Sequence, residues 1–324
     1  MTSNSAKSLT TNLPADAAIL YSVVVPVYRG QNTLAQLTKQ VKAFFTGAKL
    51  SYELIFVYDC GPDNSWAVIK ELCQQGGGCV KGIRLARNFG QHNALICGFR
   101  HAVGQFIITM DEDLQHRPQD ISLLIFRQAE HDFDVVYGRY DTLQHSGFRN
   151  ITSIAMKKLL EVGLPDLHPD YTAFRLIKAS IARYCLDMQN SYSFLDGYLT
   201  WITRNVGSIT VVHRERLEGE SSYTVRKLIE HSINIFVTFS DLPIRLLTFT
   251  GVAVFIITSG YSFYILLRKL LYNNLSSGFP TFIITLGLGI GLLLLGMGIL
   301  GEYIHRINLK TTRRPTFVEA ETLT

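Results

Sequence analysis

The apolar run Phe106-Ile-Ile-Thr-Met110 stops at Asp111-Glu-Asp113, and Leu114-Gln115-His116 follows. A strand that ends in alternating carboxylates leaves them where the backbone turns. Asp111 and Asp113 can there converge on a hard divalent cation, Mg2+ or Mn2+, that bridges the two phosphates of a nucleotide. Such a metal stabilises a diphosphate leaving group as charge develops on it. Acidic strand ends are also common without a metal, so the pair alone does not decide. A second polar cluster, Asn88-Phe-Gly90-Gln91-His-Asn93, follows another apolar run and reads equally as a helix start.

The elements that must position these groups follow a simple unit from Tyr21 onward: a short β-branched run, then an amphipathic segment of helical length. That is the α/β pattern. Strands are expected at Ser22–Val27, Glu53–Tyr58, Gly82–Leu85, Phe106–Met110 and Val135–Tyr137, each nearly all apolar, as in a mostly parallel sheet covered on both faces. Helices are expected near Thr33–Phe45, Ser65–Gln74, Gln91–Val103 and Pro118–Glu130. Ligands in such sheets bind beyond the carboxyl ends of the strands, here Pro26–Arg29, Tyr58–Asp63, Ala86–Gln91 and Asp111–Gln115. Helical signals continue over 149–162 and 178–203, with a short strand at Ser208–Val212 and a polar stretch at Arg214–Thr224. A helix over 225–240 places Leu228, Ile229, Ile233, Phe236 and Val237 on one face, which suits either a membrane surface or the soluble domain.

Of the 324 residues 47% are hydrophobic, and they are unevenly spread: 246–267 and 279–301 contain no Asp, Glu, Lys or Arg. Each run exceeds the roughly 20 residues that a helix needs to cross a bilayer, so two transmembrane helices are expected, with buried core helices as the alternative. Arg226, Lys227, Arg245, Arg306, Lys310, Arg313 and Arg314 flank them, whereas the intervening loop Leu270–Gly278 has no cation. That bias puts both termini in the cytoplasm, with Arg268 and Lys269 reaching back to the headgroups. It also makes lipid phosphate a better partner than nucleic acid. Gly287, Gly291 and Gly298 suit close helix contact, either between copies of a homo-oligomer or within the hairpin. Residues 1–20 are Ser/Thr-rich with no apolar core of a signal peptide, and read as a mobile tail. Five cysteines without a CxxC pair argue against a disulfide framework and a zinc site, and fit a reducing compartment. The division expected is a tail (1–20), a catalytic domain (21–213), an acceptor loop with a juxtamembrane helix (214–244), a transmembrane hairpin (245–305) and a basic cytoplasmic tail (306–324).

Leu85-Ala-Arg-Asn-Phe-Gly-Gln-His-Asn-Ala94 with Gly98, and Met110-Asp-Glu-Asp-Leu-Gln115, resemble the family-2 glycosyltransferases that act on polyprenyl phosphate. That group includes dolichyl-phosphate mannose synthases, bacterial prophage glucosyltransferases and the undecaprenyl-phosphate aminoarabinose transferase. The resemblance runs over about 21–318, through Ser22-Val-Val-Val-Pro-Val-Tyr28, Asp59-Cys-Gly-Pro-Asp-Asn-Ser65, Phe174-Arg-Leu176, Gly219-Glu-Ser-Ser-Tyr223, Gly298-Ile-Leu-Gly-Glu-Tyr-Ile-His-Arg306 and Arg314-Pro315.

The resemblance implies a GT-A fold, Rossmann-like and mostly parallel, followed by juxtamembrane and transmembrane helices. It implies a nucleotide-sugar donor, a UDP-sugar by expectation, an undecaprenyl phosphate acceptor, and a place in the bacterial inner membrane feeding envelope glycan, O-antigen or lipid A modification. By position it assigns Pro26, Tyr28, Asp59, Asn88, Gly90, Gln91 and Asn93 to the donor, Asp111 and Asp113 to the metal, and Gln115 to the diphosphate or sugar. Arg139, Arg149 and Arg175 fall to the acceptor phosphate, while Arg216, Ser221, Tyr223 and Lys227 fall to a loop and helix that close over the site. Lipid phosphate is already anionic and needs alignment more than a base, so in-line attack would invert the anomeric carbon without a glycosidase-like carboxylate pair.

Several positions depart from the family's pattern: Arg29-Gly30 for Asn-Glu, Tyr58 for an acidic or amide residue, Gly61 for Ser, Glu112 for a small residue, Arg117 for Pro and Ser222 for Lys. These bear on the sugar more than on the reaction. A processive synthase would carry Gln-x-x-Arg-Trp, which is missing here. A transferase with another acceptor leaves the two apolar runs without a purpose, and an inactive scaffold for lipid carriers leaves the acidic strand end without one.

Overall fold

Tyr21-Ser-Val-Val-Val-Pro-Val27 is β-branched on both faces, which suits a strand covered on both sides. In the computed structural model it is the central strand β1 (Tyr21–Val27), buried along its whole length. The structure describes residues 19–140, 166–188, 193–212, 242–272, 279–311 and 315–324. β2 (Tyr52–Tyr58) and β4 (Phe106–Thr109) pair with β1 on either side, and β3 (Val80–Leu85) pairs with β2, all parallel. Beyond β4 come β6 (Arg175–Lys178), antiparallel to it, then β5 (Val135–Tyr140) and β7 (Val206–Val211). With a C-terminal strand β8 (Glu319–Leu323) on β3, the eight strands run β7-β5-β6-β4-β1-β2-β3-β8.

Helices α1 (Leu34–Ala48), α2 (Ser65–Gln75) and α4 (Ile121–His131) cover one face of the sheet. The other face carries α3 (Gln91–His101), α5 (Ala179–Tyr184) and α6 (Leu195–Ile202). Alternation divides β1 between the layers: Val24 packs into the second, and Val23, Val25 and Val27 into the first. Every strand and helix expected before residue 140 is present within a few residues. Within the helical signal over 178–203 the described residues form two short α-helices, preceded by an antiparallel strand that the sequence did not announce. The expected helices over 149–162 and 225–240 lie outside the described residues.

Pro26 sits in the central strand because the sheet opens there. Pairing of β1 with β4 ends at Val24–Thr109, and Met110 donates to the Val24 carbonyl. Two residues on, the backbone of Pro26 faces that same side, where its missing N–H costs no ladder bond. A crevice thus begins between β1 and β4, where the direction of strand addition reverses.

The basic tail expected at 306–324 is corrected by the structure. At residues 315–324 the chain returns to the α/β domain, Phe317 is buried, and β8 covers the edge of β3 with Ala86 N–H donating to Val318 O. Its acidic residues are the anchors. Glu319 lies 3.0 Å from His101 Nε2 and 3.4 Å from Arg100, and Glu321 takes Lys70 at 3.2 Å and the Trp66 indole N–H at 3.1 Å. Covering an edge in this way removes a row of unpaired backbone groups.

The two apolar runs form α7 (Leu242–Tyr272) and α8 (Phe279–Thr311), of 31 and 33 residues. They touch where Gly296 faces the Leu247 side chain. Among the described residues no helix is long and apolar enough to cross a membrane; parts of both helices have side chains outside the described set. Many of those that are described are apolar and exposed, among them Phe249, Ile257, Phe263, Leu293, Leu294 and Met297.

Docking of the C-terminal segment has a measurable cost. Phe317→Ala should lower stability by about 3 kcal/mol, the usual loss for an emptied aromatic site, read as a lower Tm of the full-length protein. Identical melting of variant and wild type would mean that the segment is not seated.

Candidate active site

The carboxyl ends of β1 to β4 lie along one edge, and the loops leaving them are tied together by side chains. Asp59, 4% exposed, follows β2 and accepts the N–H of Phe89 on Oδ1 (2.6 Å) and of Gly90 on Oδ2 (2.8 Å). Burial raises its pKa, while those two amides pull it down. The resemblance assigns Asp59 to the donor; here its carboxylate also shapes the 88–91 segment. Gly90 adopts φ 92°, a left-handed backbone that favours glycine. Asn88 Oδ1 accepts the Gly90 amide at 3.1 Å, and Asn93 donates to Phe89 O at 2.8 Å, which closes the turn into α3.

Gln91, the first residue of α3, donates from Nε2 to Asp111 Oδ1 at 2.8 Å, linking this loop to the acidic turn. Within that turn Asp113 accepts the Gln115 amide at 3.1 Å, and Leu114 holds a left-handed φ of 62°. A non-glycine residue in that region costs on the order of 1–2 kcal/mol, and here it lets three acidic residues follow the strand in a tight turn. His116 Nδ1 accepts the Asp111 amide at 3.0 Å while its ring lies against Phe174 and Tyr140. Its buried imidazole therefore orients the turn. Sequence reasoning quoted His116 at the end of the motif and gave it no role.

Tyr28 follows β1 and is exposed at the mouth of the crevice, with the Arg29 guanidinium 5.6 Å over its ring. Glu112 reaches back to this loop: Oε2 accepts Tyr28 N–H at 3.0 Å and Oε1 accepts Arg29 N–H at 2.9 Å. Burial pushes the Glu112 carboxyl up to about 7, against the pull of those two amides, and Asp63 and Asp111 add repulsion. Gly61 explains one departure noted above. A Cβ there would lie 1.5 Å from the Tyr28 carbonyl oxygen, so serine cannot occupy the position with this loop packing.

The structure thus brings Pro26, Tyr28, Asp59, Asn88, Gly90, Gln91, Asn93, Asp111, Asp113 and Gln115 to one edge. Arg139, near the end of β5, lies on the same edge, half exposed, with Thr210 at 3.1 Å and Asp170 at 3.6 Å. Arg175 is a correction. It is 2% exposed, its Nε donates to Thr109 Oγ1 at 3.1 Å, and its guanidinium pairs with buried Asp196, which also accepts the Tyr137 hydroxyl at 2.9 Å. A guanidinium closed into the core in this way is not placed to meet a lipid phosphate. Arg149, Arg216, Ser221, Tyr223 and Lys227 lie outside the described residues.

Two groupings could be considered for a metal. Asp111 and Asp113 supply the all-oxygen donors that Mg2+ or Mn2+ prefers, in a turn beside the crevice. Among the described residues, the donors that converge within 4.8 Å are instead Cys97, His101 and Glu319. That cluster lies under β8, where Glu319 is already engaged by Arg100 and His101 and burial holds the Cys97 thiol well above its ordinary pKa. It anchors the strand, whereas the acidic turn offers the oxygen donors that a hard divalent cation takes.

Residues 22–185, half of the chain, match the family described as "Glycosyl transferase family 2". The chain belongs to that family. It is 31% identical over 299 residues to the undecaprenyl-phosphate 4-deoxy-4-formamido-L-arabinose transferase of Edwardsiella ictaluri, covering 91% of this chain and 92% of that protein. It is 32% identical to the protein of the same name from Serratia proteamaculans, over 91% of each. Among solved structures, mannosyl-3-phosphoglycerate synthase from Rubrobacter xylanophilus superposes with a TM-score of 0.52 at 14% identity, over 72% of this chain and 75% of that one. Glucosyl-3-phosphoglycerate synthase from Mycobacterium tuberculosis, solved with Mn2+ and UDP-glucose, superposes with a TM-score of 0.51 at 14% identity, over 68% and 77%. At that identity the structures establish the GT-A fold alone. This family-2 glycosyltransferase therefore has its carboxyl-edge crevice where its fold leads one to look for a nucleotide-sugar.

The contrast between the two arginines is testable. Arg175→Ala leaves Asp196 buried and unpaired, and should cost about 3–5 kcal/mol, whereas Arg139→Ala should leave Tm close to wild type. An Arg175→Ala protein that melted normally and failed to bind lipid phosphate would return Arg175 to the acceptor site.

Proposed function

We propose that the protein transfers a glycosyl group from a nucleotide-sugar, a UDP-sugar by expectation, to undecaprenyl phosphate, with inversion at the anomeric carbon and dependence on Mg2+ or Mn2+. The observation that carries this reading is the linkage of the acidic turn to the Tyr28 loop through Glu112 and to the 88–91 loop through Gln91. The relatives named above as undecaprenyl-phosphate transferases, alike over nine-tenths of the chain, support the acceptor.

In this reading Tyr28 lies against the base, while Asp59 keeps the 88–91 segment in shape around the nucleotide. Asp111 and Asp113 hold the ion, which when bound offsets charge on the leaving diphosphate. Gln91 orients Asp111, and His116 fixes the backbone of the turn. Gln115 lies beside the sugar. Arg139 is the described cation on the same edge best placed to steer the acceptor's phosphate, and one half-exposed guanidinium attracts an anion without encasing it. The phosphate oxygen attacks the anomeric carbon as the bond to the diphosphate breaks, so alignment is the main requirement and no general base is assigned.

We also propose that α7 and α8 form a hairpin in the bacterial inner membrane, with the catalytic domain and both termini cytoplasmic. The supporting facts are the two charge-free runs, the exposed apolar side chains and the return of β8 to the sheet, which requires α8 to end on the side where α7 began. The cations flanking the hairpin support the cytoplasmic orientation.

The test is transfer from a panel of radiolabelled UDP-, GDP- and dTDP-sugars, including a nucleotide-linked 4-deoxy-4-formamido-L-arabinose, to short-chain polyprenyl phosphate. A chloroform-soluble product from one donor is expected, lost with EDTA and reduced at least about a hundredfold by Asp113→Asn, as for loss of a major electrostatic contribution. No product from any donor, with lipid binding retained, would favour a carrier-binding scaffold.

A further inference from the structure

Four consecutive backbone amides, those of Tyr28, Arg29, Gly30 and Gln31, leave the end of β1 with no strand to receive them. Side chains from two other loops take all four. Glu112 accepts the first two at 3.0 and 2.9 Å, Ser65 Oγ accepts Gly30 at 2.8 Å, and Asp63 Oδ2 accepts Gln31 at 3.1 Å. Ser65 is in turn held by Asp63 at 2.7 and 2.8 Å. Only Glu112 comes from the acidic turn, so among these bonds its carboxylate joins the Tyr28 loop to the segment that carries Asp111 and Asp113.

The space this carboxylate occupies exists because residue 30 is glycine. A Cβ built on Gly30 would lie 2.6 Å from Glu112 Oε2 and 3.0 Å from Leu34 Cγ. Gly30 is not among the glycines with positive φ, so its backbone does not itself demand glycine. Its smallness serves the neighbouring carboxylate. Two of the positions where this chain departs from its family's pattern are therefore one feature, a carboxylate supplied from position 112 into room left at position 30.

We propose that Glu112 is a positioning residue of the donor site: its bidentate clasp on the Tyr28 and Arg29 amides, made possible by Gly30, keeps the β1 loop in register with the acidic turn. The donor-binding consequence rests on the reading of the preceding section. The clasp itself does not. A nucleotide-sugar that meets Tyr28 on one side and an ion held by Asp111 and Asp113 on the other needs the two segments at a constant separation, and Glu112 sets it without touching the reacting atoms. Loss of the clasp should weaken donor binding and leave the chemical step of the bound donor little changed.

The experiment uses the full-length protein as wild type, Glu112→Ala, Glu112→Gln, Gly30→Ala and the double variant Gly30→Ala/Glu112→Ala. Amide hydrogen exchange over Val27–Gln31 is read first, without ligand, beside Tm. Glu112→Ala should speed exchange at Tyr28 and Arg29 by on the order of tenfold or more, as for loss of a charge-assisted hydrogen bond. Glu112→Gln keeps one acceptor oxygen and should fall between.

Gly30→Ala retains the acid and displaces it, so it should loosen the same two amides. The double variant should be no looser than Glu112→Ala alone, which is the non-additivity expected of one shared contact. With the donor that the sugar panel names, KM should rise about tenfold in Glu112→Ala while kcat changes by less than about twofold. Unchanged exchange in both Glu112→Ala and Gly30→Ala, or a loosened loop with the donor KM unmoved, would overturn the proposal. A wild-type protein that turned over no donor would sink the proposed reaction instead, and the exchange data alone would then decide whether the clasp exists. Should Glu112→Ala fail to fold, Glu112→Gln and Gly30→Ala make the same comparison.

Discussion

Parallel strands that stop together leave a row of backbone N–H groups beyond the end of the ladder, and each needs another acceptor. This constraint governs the carboxyl edge of the sheet. Asp59 answers it for Phe89 and Gly90, Ser65 for Gly30, Asp63 for Gln31, and Glu112 for Tyr28 and Arg29. Each carboxylate joins one loop to the next, so backbone satisfaction and crevice shape are a single problem. The acids that tie the backbone of one loop to another differ from the pair assigned to the ion. Asp111 and Asp113 are instead oriented by Gln91 and by the Gln115 amide.

The parallel half of the sheet was legible because buried strands advertise themselves: Ser22–Val27 and Glu53–Tyr58 are nearly continuous apolar runs between turn signals. β6 was missed because Arg175 opens it and its four residues are too short for alternation to register. β8 was missed for a related reason. Glu319-Ala-Glu-Thr-Leu323 is mostly polar, as an edge strand can be, and what seats it is a remote set of partners, Trp66, Lys70, Arg100 and His101. Contacts between residues more than 200 positions apart leave no local trace in a sequence.

The same limit explains the fate of the site residues. Type and spacing identified which side chains gather at the edge, since strand ends are local features. They could not say which way a side chain turns. Arg175 lies one residue after the buried Phe174, and its guanidinium enters the core because Asp196, on α6, waits there with Tyr137. Asp59 was read as a ligand group and is also a scaffold group. Gly61 and Gly30 read as substitutions by smaller residues; the Tyr28 carbonyl makes the first necessary, and the second leaves room for the Glu112 carboxylate.

The seating of β8 also orders events during synthesis. β3 is made early and stays an open edge until the ribosome has passed through both long helices, a delay of some 230 residues between Leu85 and Glu319. At roughly 5–20 residues per second the edge is unpaired for at least about ten seconds. A nascent chain stalled within α7 or α8 exposes that edge together with the vacant seat of Phe317, features that holding chaperones and proteases recognise. Closure of the sheet thus marks translation past both long helices.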